Sequence, residues 1–363
     1  FFFFKQKTAY EIYQCGLEFR RVLFRSLFPS FGHDSNLGTV TKVPYYWVID
    51  TDRDATITPI YTSDEGGVLS GQYRQRFTNG SMSFTGSVTS GDKTGTNQLT
   101  GEKTTRGHII GTGRFDVDDT WRTGFDVARA TDSTYMRRYG FSGGSGFLDS
   151  GSTVGGVGIG GLNSSKELTT SAFVEGFSER NYARLSGYSF QDINQGAVSG
   201  KTPLVLPLGQ YNWLGAADRW GGRTSVDTSI LGLTRDIGTD SHRLSVRPAW
   251  QRPATSAGGS ITTVTAALQA DAYDVNNVTQ PGGRNFDGQT GRLMPQTMVD
   301  WRFPLAKQHE HFTEVLEPIG AVVAAPIGGN SPKIPNEDSQ VVDFDDLNIM
   351  SMSRYPGFDR VEG

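Results

Sequence analysis

The histidines and carboxylates are the side chains of this sequence that would first suggest a catalytic or metal site. Of the five histidines, only His309 and His311 lie close together, in KQHEH. Two imidazoles without an evident third ligand give a weak metal signal, so a solvated turn is the better interpretation. The acidic run NEDSQVVDFDD could bind Ca²⁺, but its spacing departs from that of an EF-hand loop, which favours a solvated loop.

Other catalytic and cofactor motifs are missing from the sequence. It has neither the G-x-S-x-G elbow of hydrolases nor the H-E-x-x-H motif of zinc proteases, and its carboxylates are too scattered for a glycosidase pair to be chosen. The stretch GFSGGSGFLDSGSTVGGVGIGGLN lacks the Lys-Ser/Thr ending of a phosphate-binding loop and reads as a flexible loop. We therefore predict no catalytic residue, no metal, no cofactor and no enzymatic activity.

Composition narrows the class of protein further. The 363 residues include 34 Lys and Arg and 38 Asp and Glu, a net charge of −4 that gives no basic footprint for nucleic acid. Cys15 is the single cysteine, so no internal disulfide can form. No apolar run approaches the roughly 20 residues of a membrane-spanning helix. If the chain crosses a membrane, it must do so as a β-barrel.

The elements that would position functional residues are strands. In HRLSVRPAW, Leu244, Val246, Pro248 and Trp250 fall on one face and the arginines on the other, and WRTGFDVARA and TVTAALQADAY alternate similarly. Turn clusters such as SDEGG, DIGTDS and QPGGRN separate these segments, which predicts an all-β antiparallel meander. The polar faces suit either the solvent face of a sandwich or the wet lumen of a transmembrane barrel, and the pattern favours the barrel.

The first 26 residues differ in pattern from the rest of the chain. FFFFKQKTAYEIYQCGLEFRRVLFRS has no alternation and no small-residue cleavage site, and it resembles translated sequencing-adaptor DNA. We interpret residues 1–26 as an adaptor-derived artefact, so Cys15 carries no functional meaning. The alternative is a genuine amphipathic segment.

Two prolines mark the stretch VPYYWVIDTDRDATITPIY, which reads as two short strands joined by an acidic turn. Pro44 and Pro59 cannot donate to a sheet ladder, and proline is usually kept out of paired strands. On pattern alone, Pro44 starts a strand and Pro59 sits at a bulge.

Three segments together resemble the LPS-assembly protein LptD family, also called OstA or organic solvent tolerance protein. They are residues 31–77, the pair GRLMPQTMVDWRFPLA and VLEPIGAVVAAP, and the terminal DFDDLNIMSMSRYPGFDRVEG. The most specific part is PYYW…DATITP. Besides Pro44 and Pro59, the family-motif residues in it are Tyr45, Tyr46, Trp47, Asp54, Thr56 and Thr58.

The resemblance implies a large outer-membrane barrel of about 26 strands that follows a periplasmic jelly-roll domain. Residues 27–42 would end the jelly roll or its linker, and residues 43–363 would be the N-terminal part of the barrel. We expect about half of the barrel, drawn as an open, curved sheet, because the chain looks truncated at both ends.

The resemblance also implies a function in a Gram-negative cell outer membrane, namely insertion of lipopolysaccharide into the outer leaflet. Pro44 and Pro59 match the prolines of the family's lateral gate, where lipopolysaccharide leaves sideways into the membrane lipid. Expected partners are lipopolysaccharide, an LptE-type lipoprotein plug and a periplasmic LptA-type bridge. Arg74 and Arg76 would face the lumen, as partners for phosphate-bearing sugars or the plug, or simply as polar lining. The alternatives are a porin or receptor-type barrel and, in a different class, a secreted β-sandwich binding protein.

Overall fold

The computed structural model describes residues 26–94, 99–141, 167–194, 198, 200–339 and 348–362. Within them lie eighteen strands and one short helix, α1 (Tyr135–Arg138). The strands are β1 (Ser30–Asp34), β2 (Gly38–Lys42), β3 (Tyr45–Val48), β4 (Arg53–Thr62), β5 (Gly66–Phe77), β6 (Gly80–Thr94), β7 (Leu99–Asp116), β8 (Trp121–Ala130), β9 (Glu167–Ser178), β10 (Asn181–Asp192), β11 (Leu204–Ala217), β12 (Arg223–Thr234), β13 (Asp240–Thr255), β14 (Ile261–Thr279), β15 (Asn285–Arg302), β16 (Leu305–Gln308), β17 (Thr313–Leu316) and β18 (Ile319–Ala324).

Sixteen of the described strands belong to one antiparallel sheet, and β16 and β17 form a separate hairpin. Consecutive strands are neighbours in a linear path that begins at β1 and ends at β18. Two departures occur, because β3 pairs with β4 beside β2, and β18 pairs with β15 after the β16–β17 hairpin. The predicted all-β antiparallel meander is confirmed.

The chain divides into two compact units. Unit 1 comprises Phe1–Val117, Arg122–Ala172 and Ser189–Ser199, and unit 2 comprises Asp118–Trp121, Phe173–Tyr188 and Gly200–Gly363. Each described unit has a small hydrophobic cluster of its own. The cluster of unit 1 joins residues of β2, β4 and β5 to α1, and that of unit 2 surrounds Tyr273 and Val275 on β14.

On β13 and β14, the covered face carries buried polar side chains and the opposite face carries exposed apolar ones. On β13, Arg243 is 4% exposed and Ser245 0% exposed, whereas Leu244 between them is 47% exposed. On β14, Gln269 and Asp271 are buried, whereas Val264 on the opposite face is exposed. This alternation confirms the predicted faces and inverts the arrangement of an ordinary soluble sheet, in which the apolar face is the covered one.

Helix α1 is an element that the sequence patterns did not predict. It has four residues, about one turn, which is too short for a 3.6-residue period to show. The carboxylate of Asp132 stabilises the N-terminal end of α1 by accepting hydrogen bonds from the backbone amides of Thr134 and Tyr135, both at 3.0 Å. No helix in the described part of the chain is long and apolar enough to cross a membrane.

Several predicted turns are found where the sequence placed them. SDEGG connects β4 to β5, where Gly66 has a φ of +84°, and QPGGRN connects β14 to β15. His309 and His311 lie in the turn of the β16–β17 hairpin, as expected. Most of the predicted Gly-rich loop, from residue 142 onward, lies outside the described residues.

Candidate functional site

Strands β2 and β3 pair with β4 in a single register that is interrupted at two residues. Lys42 is opposite Ile60, and Tyr45 is opposite Ile57, so the same register continues on both sides of the gap. That register sets Val43 opposite Pro59 and Pro44 opposite Thr58. Both prolines therefore lie at one point of the ladder.

The pair formed by Val43 and Pro59 has one of its two possible hydrogen bonds. The amide of Val43 donates to the carbonyl oxygen of Pro59 at 3.1 Å. In a hydrogen-bonded antiparallel pair, the two residues exchange both bonds, but Pro59 has no N–H to return. The ladder therefore lacks one bond here.

Pro44 produces the same defect on the other edge of its strand. The amide of Leu27 donates to the carbonyl oxygen of Pro44 at 2.9 Å, next to an isolated antiparallel bridge at Tyr45. The return bond from Pro44 cannot form. Each missing bond is worth on the order of 1 kcal/mol, so adjacent residues weaken both edges of one strand.

The weakness does not extend to the ladder between β4 and β5. That ladder runs without a register shift from Arg53 opposite Gln75 to Thr62 opposite Gly66. Pro59 lies opposite Leu69 in this ladder. The backbone nitrogen of Pro59 points toward Val43 and away from β5, so Pro59 and Leu69 form a non-hydrogen-bonded pair and no bond is lost there. We call the two incomplete pairs, Leu27 with Pro44 and Val43 with Pro59, the seam.

The residues of the PYYW…DATITP motif surround the seam on both faces of the sheet. Tyr45 and Trp47 have exposed side chains, at 38% and 46%. The other four alternate with them onto the less exposed face, which also carries Val40 and Ile60 of the hydrophobic cluster. Those four are Tyr46, Asp54, Thr56 and Thr58.

Arg74 and Arg76 lie on that same less exposed face, two residues apart on β5. Arg74 forms an ion pair with Asp54 of the motif, with Nη2 and Oδ1 2.8 Å apart, and thereby connects β5 to β4. Its side chain is 41% exposed, so part of the guanidinium reaches water. Arg76 is exposed.

A buried ion-pair network in unit 2 was not found by sequence reasoning. Nη1 of Arg243 on β13 lies 2.6 Å from a carboxylate oxygen of Asp338 and 2.6 Å from one of Asp359. The carboxylate of Asp359 also accepts the amides of Glu337 and Asp338, and that of Asp338 accepts the amides of Phe358 and Asp359. We call the described residues after β18, 325–339 and 348–362, the terminal segment. The two aspartates join its two stretches over the polar face of β13.

The pKa values of the two carboxyl groups beside Arg243 are shifted in opposite directions. Burial acts to raise both pKa values, but at Asp338 the charge of Arg243 and two backbone amides outweigh it, and the pKa is lowered. The pKa of Asp359 is raised, because burial, opposed by Arg243, is reinforced by the negative charge of Asp338. Asp338 belongs to the acidic run that we expected to be a solvated loop. That expectation is wrong for this residue, because Arg243 holds its carboxylate against the sheet.

A second arginine on the same face binds the terminal segment directly. Arg292 of β15 pairs with Asp271 of β14 at 2.5 Å and donates to the backbone carbonyl oxygens of Phe358 and Asp359. Alternation identifies Arg243 as a polar-face residue, but its partners are 95 and 116 positions away, and spacing alone could not identify them.

Among the described residues, no group of three or more histidine, cysteine, aspartate or glutamate side chains could hold a metal ion. The buried charges described above are instead paired with one another. The described features are a hydrogen-bond ladder that is weak at the seam and a polar sheet face to which the terminal segment is bound by ion pairs. Neither has the arrangement of groups that a catalytic site requires.

Comparison with known proteins identifies the family of this chain. The sequence model of the family described as LPS transport system D, LptD, matches residues 104–363. The chain is 26% identical over 334 residues to the LPS-assembly protein LptD of Escherichia coli O1:K1 / APEC, and 25% identical to those of Escherichia coli (strain K12) and Shigella dysenteriae serotype 1. Each alignment covers 88% of this chain but 39% of the relative. The family match spans well over half of the chain, which therefore belongs to the LPS transport system D (LptD) family.

Proposed function

We propose that this chain forms part of an outer-membrane translocon that inserts lipopolysaccharide into the outer leaflet. Family membership and the names of its relatives, LPS-assembly proteins, support this role. The chain spans about 39% of the length of those relatives, so the activity belongs to the whole protein that contains it.

The inverted strand pattern supports a location in the outer membrane. Exposed apolar side chains such as Ile230, Leu244 and Leu293 would contact lipid, and the face that carries Arg243 and Asp271 would line a wet lumen. The domain assignment is proposed accordingly. Residues 43–363 form barrel strands, residues 27–42 end the preceding jelly roll or linker, and residues 1–26 are not native.

The single observation that carries the gate proposal is the pair of incomplete hydrogen-bonded pairs at Pro44 and Pro59. A closed barrel leaves no free edge in lipid, because unpaired backbone groups there are costly. A seam that already lacks one bond on each edge of a strand costs less to open than an intact ladder. Lipopolysaccharide would leave sideways between the first barrel strands, which this seam weakens, and the last barrel strand, with its acyl chains in the bilayer and its sugars in the lumen.

The partners that this function needs are proposals at the same level. Lipopolysaccharide is the cargo, an LptE-type lipoprotein would occupy the lumen, and an LptA-type periplasmic bridge would deliver the cargo. Arg74 and Arg76 lie beside the seam, where a partly exposed guanidinium could bind the phosphate groups of the cargo or a group on the plug.

The test uses the full-length protein that contains this chain, expressed in cells depleted of their own copy. The double variant Pro44→Ala with Pro59→Ala should reduce surface lipopolysaccharide at an unchanged level of membrane-inserted protein. Pro295→Ala, which alters a strand proline on β15, is the matched control and should export normally. Normal surface lipopolysaccharide in the double variant would overturn the gate proposal.

A further inference from the structure

Residues 131–141, which contain α1, pack against the strand ends on one side of the seam, and we call them the clamp segment. We infer that the clamp segment fixes the β2 side of the seam, so that the seam opens from the β3 side. The inference rests on the proposed gate function and assigns positioning roles to Glu65, Arg138 and Tyr139.

The apolar part of the contact begins directly beside the seam. Ile60, which follows Pro59, is 3% exposed, and Val40 of β2 is 0% exposed. Both belong to one hydrophobic cluster with Tyr135 and Tyr139 of the clamp segment, each 0% exposed. Moving β2 away from β4 would therefore break a packed core as well as ladder bonds.

A charged contact fixes the turn that joins β4 to β5. Nε of Arg138 donates to Oε1 of Glu65 at 2.8 Å, and the hydroxyl of Tyr139 donates to Oε2 at 3.2 Å. The side chain of Glu65 is 7% exposed and that of Arg138 is 25% exposed, so water screens this pair less than a surface pair. The clamp segment thus contacts both the buried side chains of β2 and β4 and the turn that joins β4 to β5.

The clamp segment is itself attached to β7. Arg106, 1% exposed, donates to both carboxylate oxygens of Asp132, at 2.9 and 2.8 Å. It also donates to the hydroxyl of Thr134 at 2.8 Å. This bidentate pair is a geometrically specific anchor, since the planar guanidinium matches a carboxylate in one orientation. Tension on the turn would be transmitted to the long β6–β7 ladder.

Among the described residues, the hydrophobic cluster that holds the β2 side of the seam contains none from β3. β3 pairs with β4 over four residues, and Tyr45, Trp47 and Ile57 all have exposed side chains. The turn beyond them is closed by the amides of Ile49 and Asp50, which donate to the carbonyl oxygen of Arg53 at 3.2 and 3.0 Å. Its side-chain contact is a pair between Arg53 and Asp50 at 3.3 Å, with both side chains at least 42% exposed. Exposed ion pairs of this kind contribute little, so we expect β3 to separate from β4 more readily than β2 does.

The experiment measures site-resolved amide hydrogen exchange in the full-length protein in lipid nanodiscs. Thr41 and Trp47 have the same parity as Val43, so their amides also point at β4, one on each side of the seam. We expect Thr41 to exchange more slowly than Trp47. The double variant Glu65→Gln with Arg138→Gln should accelerate hydrogen exchange of the Thr41 amide about tenfold. Exchange of the Trp47 amide should change by less than about twofold.

Two further variants separate positioning from general loosening. The charge swap Glu65→Arg with Arg138→Glu should return the Thr41 amide to slow exchange. Asp50→Asn with Arg53→Gln removes only an exposed pair and should leave Thr41 slow and change exchange at Trp47 by less than about twofold. If the double glutamine variant does not accumulate, Tyr139→Phe removes one contact to Glu65 and should accelerate Thr41 to a smaller extent. Unchanged exchange at Thr41, or equal acceleration at both amides, would overturn the clamp. Surface lipopolysaccharide in the proline variants tests the gate separately, so the two ideas can fail independently.

Discussion

Nη1 of Arg243 and Oδ1 of Asp359 lie 2.6 Å apart although the two residues are separated by 116 positions in the chain. Both side chains are 2% exposed, and Oδ2 of Asp338 lies 2.6 Å from the same guanidinium nitrogen. The terminal segment is therefore held to β13 by a desolvated charge cluster. Such clusters are costly to break from one side, because the remaining charges stay buried without a counter-charge.

Arg243→Ala should therefore destabilise unit 2 by about 3–5 kcal/mol, since it leaves two carboxylates without their cation. The measurement is denaturant unfolding of the full-length protein in detergent, with limited proteolysis of the terminal segment as a local readout. Arg302→Ala is the matched control, because Arg302 and Glu317 are 3.8 Å apart and their side chains are 53% and 38% exposed. It should change stability by less than about 0.5 kcal/mol. Equal effects of the two substitutions would contradict the buried cluster.

Pro59→Ala should change local opening more than global stability. The new amide can donate to the carbonyl oxygen of Val43, which adds about 1 kcal/mol to the ladder. Alanine also frees the unfolded chain by about 0.4–1 kcal/mol, so the two effects nearly cancel in the global free energy of unfolding. Exchange of the Val43 amide should nevertheless slow about fivefold, because its partner strand opens less often. An unchanged exchange rate of the Val43 amide would show that the new amide at position 59 does not form the second hydrogen bond with Val43.

The alternation of residues predicted most of the fold, because side chains on a strand point to opposite faces whatever lies around them. Leu244 and Arg243 are on the faces that the pattern assigned, and the turns near Gly66 and Gly282 connect strands as expected. The two prolines were also identified from their residue type. That both lie at one point of one ladder could not be predicted, because it depends on the pairing register.

Contacts between distant segments could not be predicted from the sequence. The partner of Glu65 is Arg138, 73 residues away, and neither residue type nor spacing indicates that pairing. The one-turn helix that presents Arg138 is too short to leave a periodic signal. Long-range polar contacts depend on loop paths, which local patterns do not specify.

The clamp segment should release at low pH. Burial acts to raise the pKa of Asp132, but hydrogen bonds from Arg106 and Thr134 outweigh burial and lower it to about 2. Because this value lies below the unfolded-state pKa of about 3.9, the contribution to stability is complete above about pH 4 and is lost as the pH falls through about 2.

Asp132→Asn should remove that acid-dependent loss. It should also destabilise unit 1 at neutral pH by about 3 kcal/mol, because Arg106 stays buried beside a neutral amide. Thermal unfolding between pH 2 and pH 7 measures both effects, and Asp119→Asn, at an exposed turn carboxylate, is the control. A variant that keeps the acid transition of the parent protein would show that another carboxylate is responsible.

The absence of a side chain at Gly91 on β6 makes room for Tyr139 of the clamp segment. A Cβ at this position would lie 2.8 Å from the hydroxyl oxygen of Tyr139, which is closer than such contacts allow, and 3.5 Å from Cδ of Arg106. Gly91→Ala should therefore displace Tyr139 from Glu65 and destabilise unit 1 by about 1–3 kcal/mol through overpacking. Gly71→Ala on β5 is the matched control, because its Cβ would meet only a backbone oxygen of Thr56, at 4.0 Å. The expected result is a lower melting temperature for Gly91→Ala alone, with faster exchange of the Thr41 amide. If both alanines were equally tolerated, Tyr139 would not be held against β6 in solution.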